Sequence, residues 1–145
     1  MKPVNEMKLV IPSRSSNESF ARAAVAAFIA PLDPTIGELA DIKTAVSEAV
    51  TNCIVHAYRD DLGKIYIQAK ILEQGRVVIR IRDTGCGIAD VKKAMEPLYT
   101  TCTTGERAGL GFAVMQSFMD KLRVTSHPDR GTTVTMEKRI LSKGA

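Results

Sequence analysis

Three polar residues recur at intervals of four in an otherwise apolar segment: Glu48, Asn52 and His56. In an α-helix a step of four residues rotates by only about 40°, so the three side chains would share one stripe. A buried carboxylate or amide costs free energy unless it has a partner. The stripe is therefore either a solvated helix face, which the pattern alone favours, or the wall of a ligand site.

A second candidate is Asp83, which follows an alternating segment at residues 77–81 in phase with its apolar members. A strand there would aim the carboxylate toward the core. The next residues are Thr84-Gly85-Cys86-Gly87-Ile88, and the two glycines remove side chains where another group must come close. An adenine would suit this place, because its amine can donate to the carboxylate. The alternative is a turn-forming aspartate followed by ordinary loop glycines.

Two further segments could contact a phosphate and a purine. Gly109-Leu110-Gly111 opens a predicted helix, where free N–H groups and the positive end of the helix dipole can hold phosphate, and Arg107 is near enough to add charge. Thr132 lies in phase with the inward-facing residues of a predicted strand, so its hydroxyl could bond a purine nitrogen or a water. The alternatives are a simple helix-entry turn and a β-branched residue bonded to the backbone.

The elements that must position these residues follow from hydrophobic periodicity. Strands are predicted at residues 7–11, 65–71, 77–81, 122–126 and 132–140, and helices at 15–30, 35–58, 90–96 and 109–119. Ser15 with Glu18, and Thr35 with Glu38, have the spacing of capping boxes. This order predicts an α+β fold, a two-layer α/β sandwich in which one mixed, largely antiparallel sheet carries helices on one face.

The apolar positions of each predicted helix indicate which face packs on the sheet. The residues expected to be buried are Phe20, Ala24, Ala27 and Phe28 in the first helix, Leu39, Ile42, Val46, Val50 and either Cys53 or Ile54 in the second, and Leu110, Val114, Met115 and Phe118 in the last.

Length and composition exclude several classes of protein. The chain has 145 residues, 45% apolar and 25% charged, which predicts one globular domain over residues 1–145. The longest apolar run, residues 23–30, is too short to span a bilayer, so we expect a cytoplasmic protein without membrane contact. Cys53, Cys86 and Cys102 form no CxxC pair, which argues against a disulfide frame or a zinc site. A net charge of +4 and 5% aromatic residues disfavour nucleic-acid binding.

The order of these motifs resembles the Bergerat-fold (GHKL) nucleotide-binding family, which includes gyrase-type ATPases, Hsp90-type chaperones, histidine kinases and MutL-like proteins. The motifs are Glu-x-x-x-Asn on a helix, Asp-x-Gly-x-Gly after a strand, Gly-x-Gly opening a helix, and Gly-Thr opening the last strand. Four longer segments resemble the sporulation anti-sigma factors of the F type, which are small serine kinases: NESFAR at 17–22, SEAVTN at 47–52, EPLYTT at 96–101 and ERAGLGF at 106–112.

The resemblance implies a role for each matching residue. Asn52 would bind Mg²⁺, Glu48 would orient or deprotonate the attacking hydroxyl, and Asp83 would read the adenine amine of ATP or ADP. Glu18 and Arg22 would engage protein partners. The other nucleotide-binding residues that it implies are His56, Gly85, Gly87, Ile88, Leu98, Thr100, Thr101, Arg107, Gly109, Leu110, Gly111, Phe112 and Thr132.

The sequence departs from the family pattern in two segments. The resemblance implies that residues 100–111 are the lid and phosphate clamp, and that the loop at residues 83–88, the base loop, lies beside the adenine. Residues 102–105 read Cys-Thr-Thr-Gly where the family usually has Lys-Pro-Glu-Leu, so a phosphate-facing lysine is absent there. Thr84 and Cys86 stand where Glu and Val are commoner. Those two side chains are expected to tune nucleotide binding rather than to define it.

The resemblance as a whole implies an anti-sigma factor with two activities. It would hold a sigma factor of the F type inactive and, with Mg-ATP, phosphorylate an anti-anti-sigma protein on serine. A homodimer would bury part of the sheet or its edge near residues 7–11. The alternatives are a general-stress anti-sigma kinase of the same superfamily and a nucleotide-independent protein-binding module.

Overall fold

The computed structural model describes residues 3–59, 61–95 and 111–141. Within these ranges the chain forms five strands and four α-helices. In chain order they are β1 (Asn5–Pro12), α1 (Asn17–Ile29), α2 (Ile36–Asn52), β2 (Lys64–Ile71), β3 (Arg76–Arg82), α3 (Val91–Ala94), α4 (Phe112–Phe118), β4 (Lys121–His127) and β5 (Gly131–Arg139).

The five strands form one sheet in the order β1-β2-β3-β5-β4, and each neighbouring pair is antiparallel. The largely antiparallel sheet that the element order predicts is confirmed, and the described strands include no parallel pair. The reason lies in the connection between β1 and β2. Two helices instead of one return the chain to the same end of the sheet, so the next strand runs in the opposite direction.

The sheet buries one face and leaves the other toward solvent. Along β2 the odd-numbered residues from Ile65 to Ile71 are buried, and the even-numbered ones are exposed or half-buried. The same alternation runs through β3, where Val77, Ile79 and Ile81 are buried. These residues form one core with α1, α2 and α4. The predicted two-layer sandwich with helices on one face is confirmed.

The face of α1 that packs on the core differs from the prediction. Ala21, Val25 and Ile29 are fully buried, whereas Phe20 is 50% exposed and Ala27 also faces solvent. Ala24 and Phe28 are half-buried. Residues 23–30 are apolar on every side of the helix, so periodicity could not select the buried face, and contact with α2 and the sheet selects it instead.

The predicted capping box of α1 is also wrong. The helix begins at Asn17, and the residue before it, Ser16, makes no side-chain cap. The carboxylate of Glu18 reaches other partners: it pairs with Arg22 at 3.6 Å and accepts a hydrogen bond from the Ser47 hydroxyl on α2. Glu18 therefore joins α1 to α2 rather than closing the first turn of its own helix.

The predicted capping box of α2 is confirmed. The Thr35 hydroxyl accepts from the backbone N–H of Glu38 at 3.0 Å, and the Glu38 carboxylate accepts from the backbone N–H of Thr35 at 2.9 Å. The expected apolar stripe is buried at Ile42, Val46 and Val50, with Leu39 half-buried. After Asn52 the helix widens into a π-helical turn, Cys53–Ala57, which carries it to the predicted end near residue 58.

The later helices are shorter than predicted. The helix α3 covers only Val91–Ala94, with Asp90 capping it by accepting from the backbone N–H of Lys93 at 3.0 Å. In α4 Met115 is buried and Phe118 half-buried as expected, but Val114 is 37% exposed, because α4 turns Phe112 and Met115 toward α2. Leu110 lies outside the described residues. None of the helices in the described ranges combines the length and apolar sequence that a membrane span requires.

Candidate functional site

A crevice opens between the C-terminal part of α2 and the inner face of the sheet. Its volume is about 50 Å³, so among the described residues it is a narrow cleft. The π-helical turn forms one wall, β3 and β5 form the opposite wall, and the first residue of α4 closes one end. The residues that line it are Ala49, Asn52, Cys53, His56, Ala57, Arg59, Ile81, Asp83, Cys86, Gly87, Ile88, Phe112, Thr132 and Val134.

Asp83 is a buried carboxylate on the sheet side of this crevice, with 5% of its surface exposed. Its Oδ1 atom accepts from the backbone N–H groups of Gly85 at 3.0 Å and Thr132 at 3.2 Å. Its Oδ2 atom accepts from the thiol of Cys53 on the helix side, at 3.6 Å. The two oxygens thus have separate tasks: Oδ1 joins β3 to β5, and Oδ2 faces the helix wall.

Burial controls the charge state of this pair. It raises the pKa of Asp83, and the hydrogen bonds from Gly85 and Thr132 oppose that increase. Burial, together with the neighbouring Asp83 carboxylate, raises the pKa of the Cys53 thiol well above its usual range. Cys53 consequently stays protonated and remains a hydrogen-bond donor toward Oδ2.

A hydroxyl that the sequence did not single out supports this wall. The hydroxyl groups of Ser126 on β4 and Thr132 are hydrogen-bonded to each other at 2.7 Å. The Ser126 hydroxyl also accepts from the backbone N–H of Ile88 at 2.8 Å. It also bonds the carbonyl of Gly131 at 3.0 Å. Ser126 therefore joins the start of β5 to the loop after β3. Its only sequence signal is its even-numbered, inward-facing place in an alternating strand.

The two loop glycines have backbone of other segments on the side where a Cβ atom would stand. A Cβ atom on Gly85 would meet the carbonyl of Ala57, and one on Gly87 would meet the carbonyl of His127. Gly87 also has a φ of +75°, which disfavours other residues. The loop is held between these two segments by hydrogen bonds from the Cys86 N–H to the Ala57 carbonyl, at 3.1 Å, and from the Asp129 N–H to the Cys86 carbonyl, at 2.7 Å.

The polar stripe of α2 divides between two surfaces. Asn52 and His56 line the crevice, where the Oδ1 atom of Asn52 and the Nε2 atom of His56 are buried. Glu48 lies one turn earlier, and it lines a separate groove together with Arg22 and Lys43. Its carboxylate packs against Gly111, the residue that caps α4 with a φ of +72°. Glu48 thus lies between the groove and the entrance to α4.

The π-helical turn keeps the stripe aligned. Tyr58 N–H donates to the Cys53 carbonyl at 3.2 Å, five residues back, so the turn holds roughly one residue more than an α-turn. In a regular α-helix the His56 side chain would lie about 40° further around the helix axis than the Asn52 side chain. The wider turn reduces the angular advance per residue, so His56 stays on the crevice side.

The structure brings together seven of the fifteen predicted nucleotide-binding residues. Those that line the crevice are Asn52, His56, Asp83, Gly87, Ile88, Phe112 and Thr132. Gly85 and Gly111 lie beside it without lining it. The predicted residues that lie outside the described ranges are Leu98, Thr100, Thr101, Arg107, Gly109 and Leu110.

A family model described as the histidine kinase-like ATPase domain matches residues 11–138. The chain belongs to this family. Among curated relatives, the anti-sigma F factor of Caldanaerobacter subterraneus subsp. tengcongensis is 60% identical over 136 residues, which are 94% of each chain. The anti-sigma F factor of Geobacillus thermodenitrificans is 50% identical over 141 residues, 97% of each chain. Within the ATPase family the chain therefore belongs with the anti-sigma F factors.

Solved structures share the fold at lower identity. The RsbU and RsbW domains of a Mycobacterium tuberculosis protein superimpose with a TM-score of 0.70 at 22% identity, over 95% of this chain and 33% of that one. The catalytic domain of the histidine kinase ThkA superimposes with a TM-score of 0.59 at 16% identity, over 94% of this chain and 97% of that one. The sandwich is that of the histidine kinase-like ATPases, as the motif order predicted.

Proposed function

We propose that the chain is a cytoplasmic anti-sigma factor that holds a sigma factor of the F type inactive and transfers the γ-phosphoryl group of ATP to a serine of an anti-anti-sigma protein. One observation carries this proposal. A single helix places Asn52 inside the crevice and Glu48, one turn earlier, in an open groove with Arg22. A phosphoryl donor in the crevice and an acceptor hydroxyl in the groove would then meet along one helix.

The crevice suits a purine that carries an amine at C6, as adenine does. The backbone donors to Asp83 both bond Oδ1, and Oδ2 receives the Cys53 thiol. A carboxylate oxygen has two acceptor positions, so Oδ2 can take one further N–H. The exocyclic amine of adenine is such a donor, whereas the keto oxygen of guanine is an acceptor and would repel the carboxylate. Apolar side chains such as Ile81 and Ile88 can contact the ring.

Asn52 is the residue that we assign to Mg²⁺. Asn52 lines the crevice with a buried Oδ1 atom, and an amide oxygen is the kind of hard ligand that this cation prefers. When bound, the cation would neutralise charge on the transferring phosphoryl group. The chain then has to hold the donor and the acceptor in line, for which the rigid α2 is well suited.

Glu48 is the residue that we assign to the acceptor hydroxyl. Only hydrogen-bond reach to that hydroxyl is required for it to orient the group or take its proton. The groove around it contains Arg22, Lys43, Thr44 and Ser47. The ion pair between Glu18 and Arg22 fixes the rim of the same groove. These positions support our assignment of Glu18 and Arg22 to partner binding.

The lid and the homodimer remain proposals of the same kind. Residues 100–111 would form the lid and phosphate clamp, with Arg107 near the outer phosphates. The strand β1 lies at one end of the sheet, so its outer edge can pair with another strand. We therefore place the dimer contact at residues 7–11.

The test is phosphoryl transfer from γ-labelled ATP to a candidate acceptor, together with calorimetric titration of Mg-ATP. Asn52→Ala should abolish Mg-ATP binding. Glu48→Gln should keep ATP affinity and lose transfer, because it removes only the carboxylate at the acceptor side. The matched control is Glu73→Gln, an exposed carboxylate far along the chain, which should change neither quantity.

Each outcome bears on one alternative. Full transfer by Glu48→Gln would reject its role, and unchanged Mg-ATP affinity in Asn52→Ala would reject the metal assignment. A wild-type chain that binds a sigma factor but not ATP would be a nucleotide-independent module. Stronger binding to a general-stress sigma factor than to one of the F type would favour the other kinase class, against the identities of 50–60% with anti-sigma F factors.

A further inference from the structure

The face of the sheet that points away from the helices concentrates the positive charge of the chain. We call the outward residues of the five strands the outer face. The register of the strands assigns nine lysine and arginine residues to it: Lys8, Lys64, Lys70, Arg76, Arg80, Arg82, Lys121, Arg123 and Arg139. Its carboxylates are Glu6 and Glu137.

Basic residues outnumber acidic residues much more strongly on the outer face than in the whole chain. The sequence contains 20 basic and 16 acidic residues, so the residues outside the outer face are more often acidic than basic. The mild net charge of +4 thus conceals a strongly basic surface on one side. A field of one sign over a flat surface attracts a partner of opposite charge and orients it during encounter.

The middle of the outer face is a row that crosses all five strands. The register aligns Lys8, Gln68, Arg80, Thr135 and Arg123 side by side. Lys8, Arg80 and Arg123 are exposed, and in the described part of the chain none of the three makes an ion pair. Gln68 and Thr135 add neutral hydrogen-bonding groups between them.

The neighbouring row differs, because its charges are compensated. Lys70 lies 3.7 Å from Glu6, and Lys121 lies 3.7 Å from Glu137. Glu137 also pairs with Arg76. The chain therefore neutralises one row internally and leaves the adjacent row without carboxylates. Shallow grooves of about 370 and 360 Å³ lie along that uncompensated row.

We propose that the outer face is a docking surface for an acidic surface of a partner protein, whose carboxylates contact Lys8, Arg80 and Arg123. This surface lies on the opposite side of the sheet from the crevice and the α1–α2 groove. Occupation of the outer face is consequently compatible with a nucleotide in the crevice, and the inference stands independently of the proposed kinase activity.

The shape of the outer face favours a protein over a nucleic acid. Five strands at about 4.8 Å spacing give a surface roughly 19 Å across, too broad for a major groove of about 12 Å. Single strands need stacking aromatics. Tyr66 is the one aromatic residue among the outward positions of the described strands, and the guanidinium of Arg82 already covers its ring at 4.1 Å from the centroid.

Charge also argues against a second copy of this chain. Two outer faces packed together would place Arg80 and Arg123 opposite cations of the same kind, and like charges across an interface are unfavourable. The homodimer contact that we assign to the edge of β1 does not need this face.

The test uses a fluorescein-labelled peptide of twelve glutamates, titrated with the full chain and followed by fluorescence anisotropy. The double variant Arg80→Gln/Arg123→Gln should weaken binding about tenfold. The matched control is Arg14→Gln/Lys92→Gln, which removes the same charge from exposed positions elsewhere and should weaken binding less than twofold. Raising the salt concentration should weaken wild-type binding and reduce the difference between the two variants.

Three results would overturn the proposal. The first is an equal loss of affinity in both double variants, which would show that only net charge matters. The second is tighter binding of a duplex DNA than of the peptide, with the DNA affinity lost in Arg80→Gln/Arg123→Gln. The third is a change of oligomeric state in that variant by analytical ultracentrifugation, which would assign the face to a second copy. An unchanged circular dichroism spectrum and Mg-ATP titration would show that both variants are folded.

Discussion

Replacing Asp83 with asparagine tests the site most directly, because the side chain keeps its shape while its charge and one acceptor disappear. We expect the amide oxygen to take the place of Oδ1, since two backbone N–H groups, from Gly85 and Thr132, already point at that position. The amide nitrogen would then take the place of Oδ2. A donor would thus stand where the proposal requires an acceptor for adenine.

The expected magnitudes follow from these contacts. Hydrogen bonds to charged acceptors contribute about 1.5–3 kcal/mol and neutral ones about 0.5–1.5 kcal/mol, so two weakened bonds destabilise the fold by about 2 kcal/mol. Burial raises the pKa of Asp83 because a buried charge is unfavourable. Replacing the carboxylate with a neutral amide removes this cost and offsets part of the loss. We expect a net change in unfolding free energy of about 1 kcal/mol. Loss of the bond to adenine, with two donors facing each other, should cost about 3 kcal/mol, roughly a 150-fold loss of affinity.

The assay is calorimetric titration of Asp83→Asn with Mg-ATP and with Mg-ITP, alongside urea denaturation. Inosine presents a keto oxygen in place of the amine, so the variant should lose most of its preference for ATP. The control is Asp90→Asn, which keeps a good capping residue on α3 and should leave affinity and stability unchanged. ATP affinity within threefold of wild type in a folded Asp83→Asn chain would refute the base-recognition role.

Three further predictions concern the fold around the site. Thr35→Ala should lower the free energy of unfolding by about 1 kcal/mol, because it removes a cap that the structure shows, whereas Ser16→Ala should have little effect, and urea denaturation compares the two. Ser126→Ala should cost about 2 kcal/mol by the same measurement, whereas the exposed Ser117→Ala should cost well under 1 kcal/mol. Burial raises the pKa of Asp83, so its contribution to the free energy of unfolding is largest below its unfolded pKa and is lost as the pH rises through the folded pKa. Urea denaturation of the wild type and of Asp83→Asn over a range of pH measures this contribution. The prediction is contradicted if the unfolding free energies of the two proteins vary with pH in the same way.

Much of the fold could be predicted, because in most elements the local sequence pattern favours the same structure as the tertiary packing does. The alternation at residues 65–71 and 77–81 identified a half-buried hairpin, and the Thr35 capping box marked the start of α2. Prediction failed at Ser15 and Glu18, where the carboxylate bonds Ser47 on another helix. It failed again on the buried face of α1, where an all-apolar segment carries no periodic signal.

The candidate site shows the same division. Motif spacing singled out Asp83, Asn52 and Thr132, which all line the crevice. Strand phase aimed Asp83 and Thr132 toward the core, whereas the helix pattern alone favoured a solvated face for Asn52. Motif spacing could not identify Ser126 or the Cys53 contact with Asp83, because each joins residues about six to thirty positions apart through the arrangement of the sheet. The sequence predicted correctly that another group comes close to Gly85 and Gly87. That group is the backbone of Ala57 and His127, whereas the sequence suggested an adenine.

The sequence by itself determined the element types, the amphipathic faces of the strands and the order of the motifs, because each depends on residues within one or two turns of one another. Only the tertiary structure decided which oxygen of Asp83 meets the helix wall, that Glu48 and Asn52 open onto different surfaces, and that nine cations share one face. These features depend on strand register and helix packing, which arise from the burial of apolar surface between segments distant along the chain.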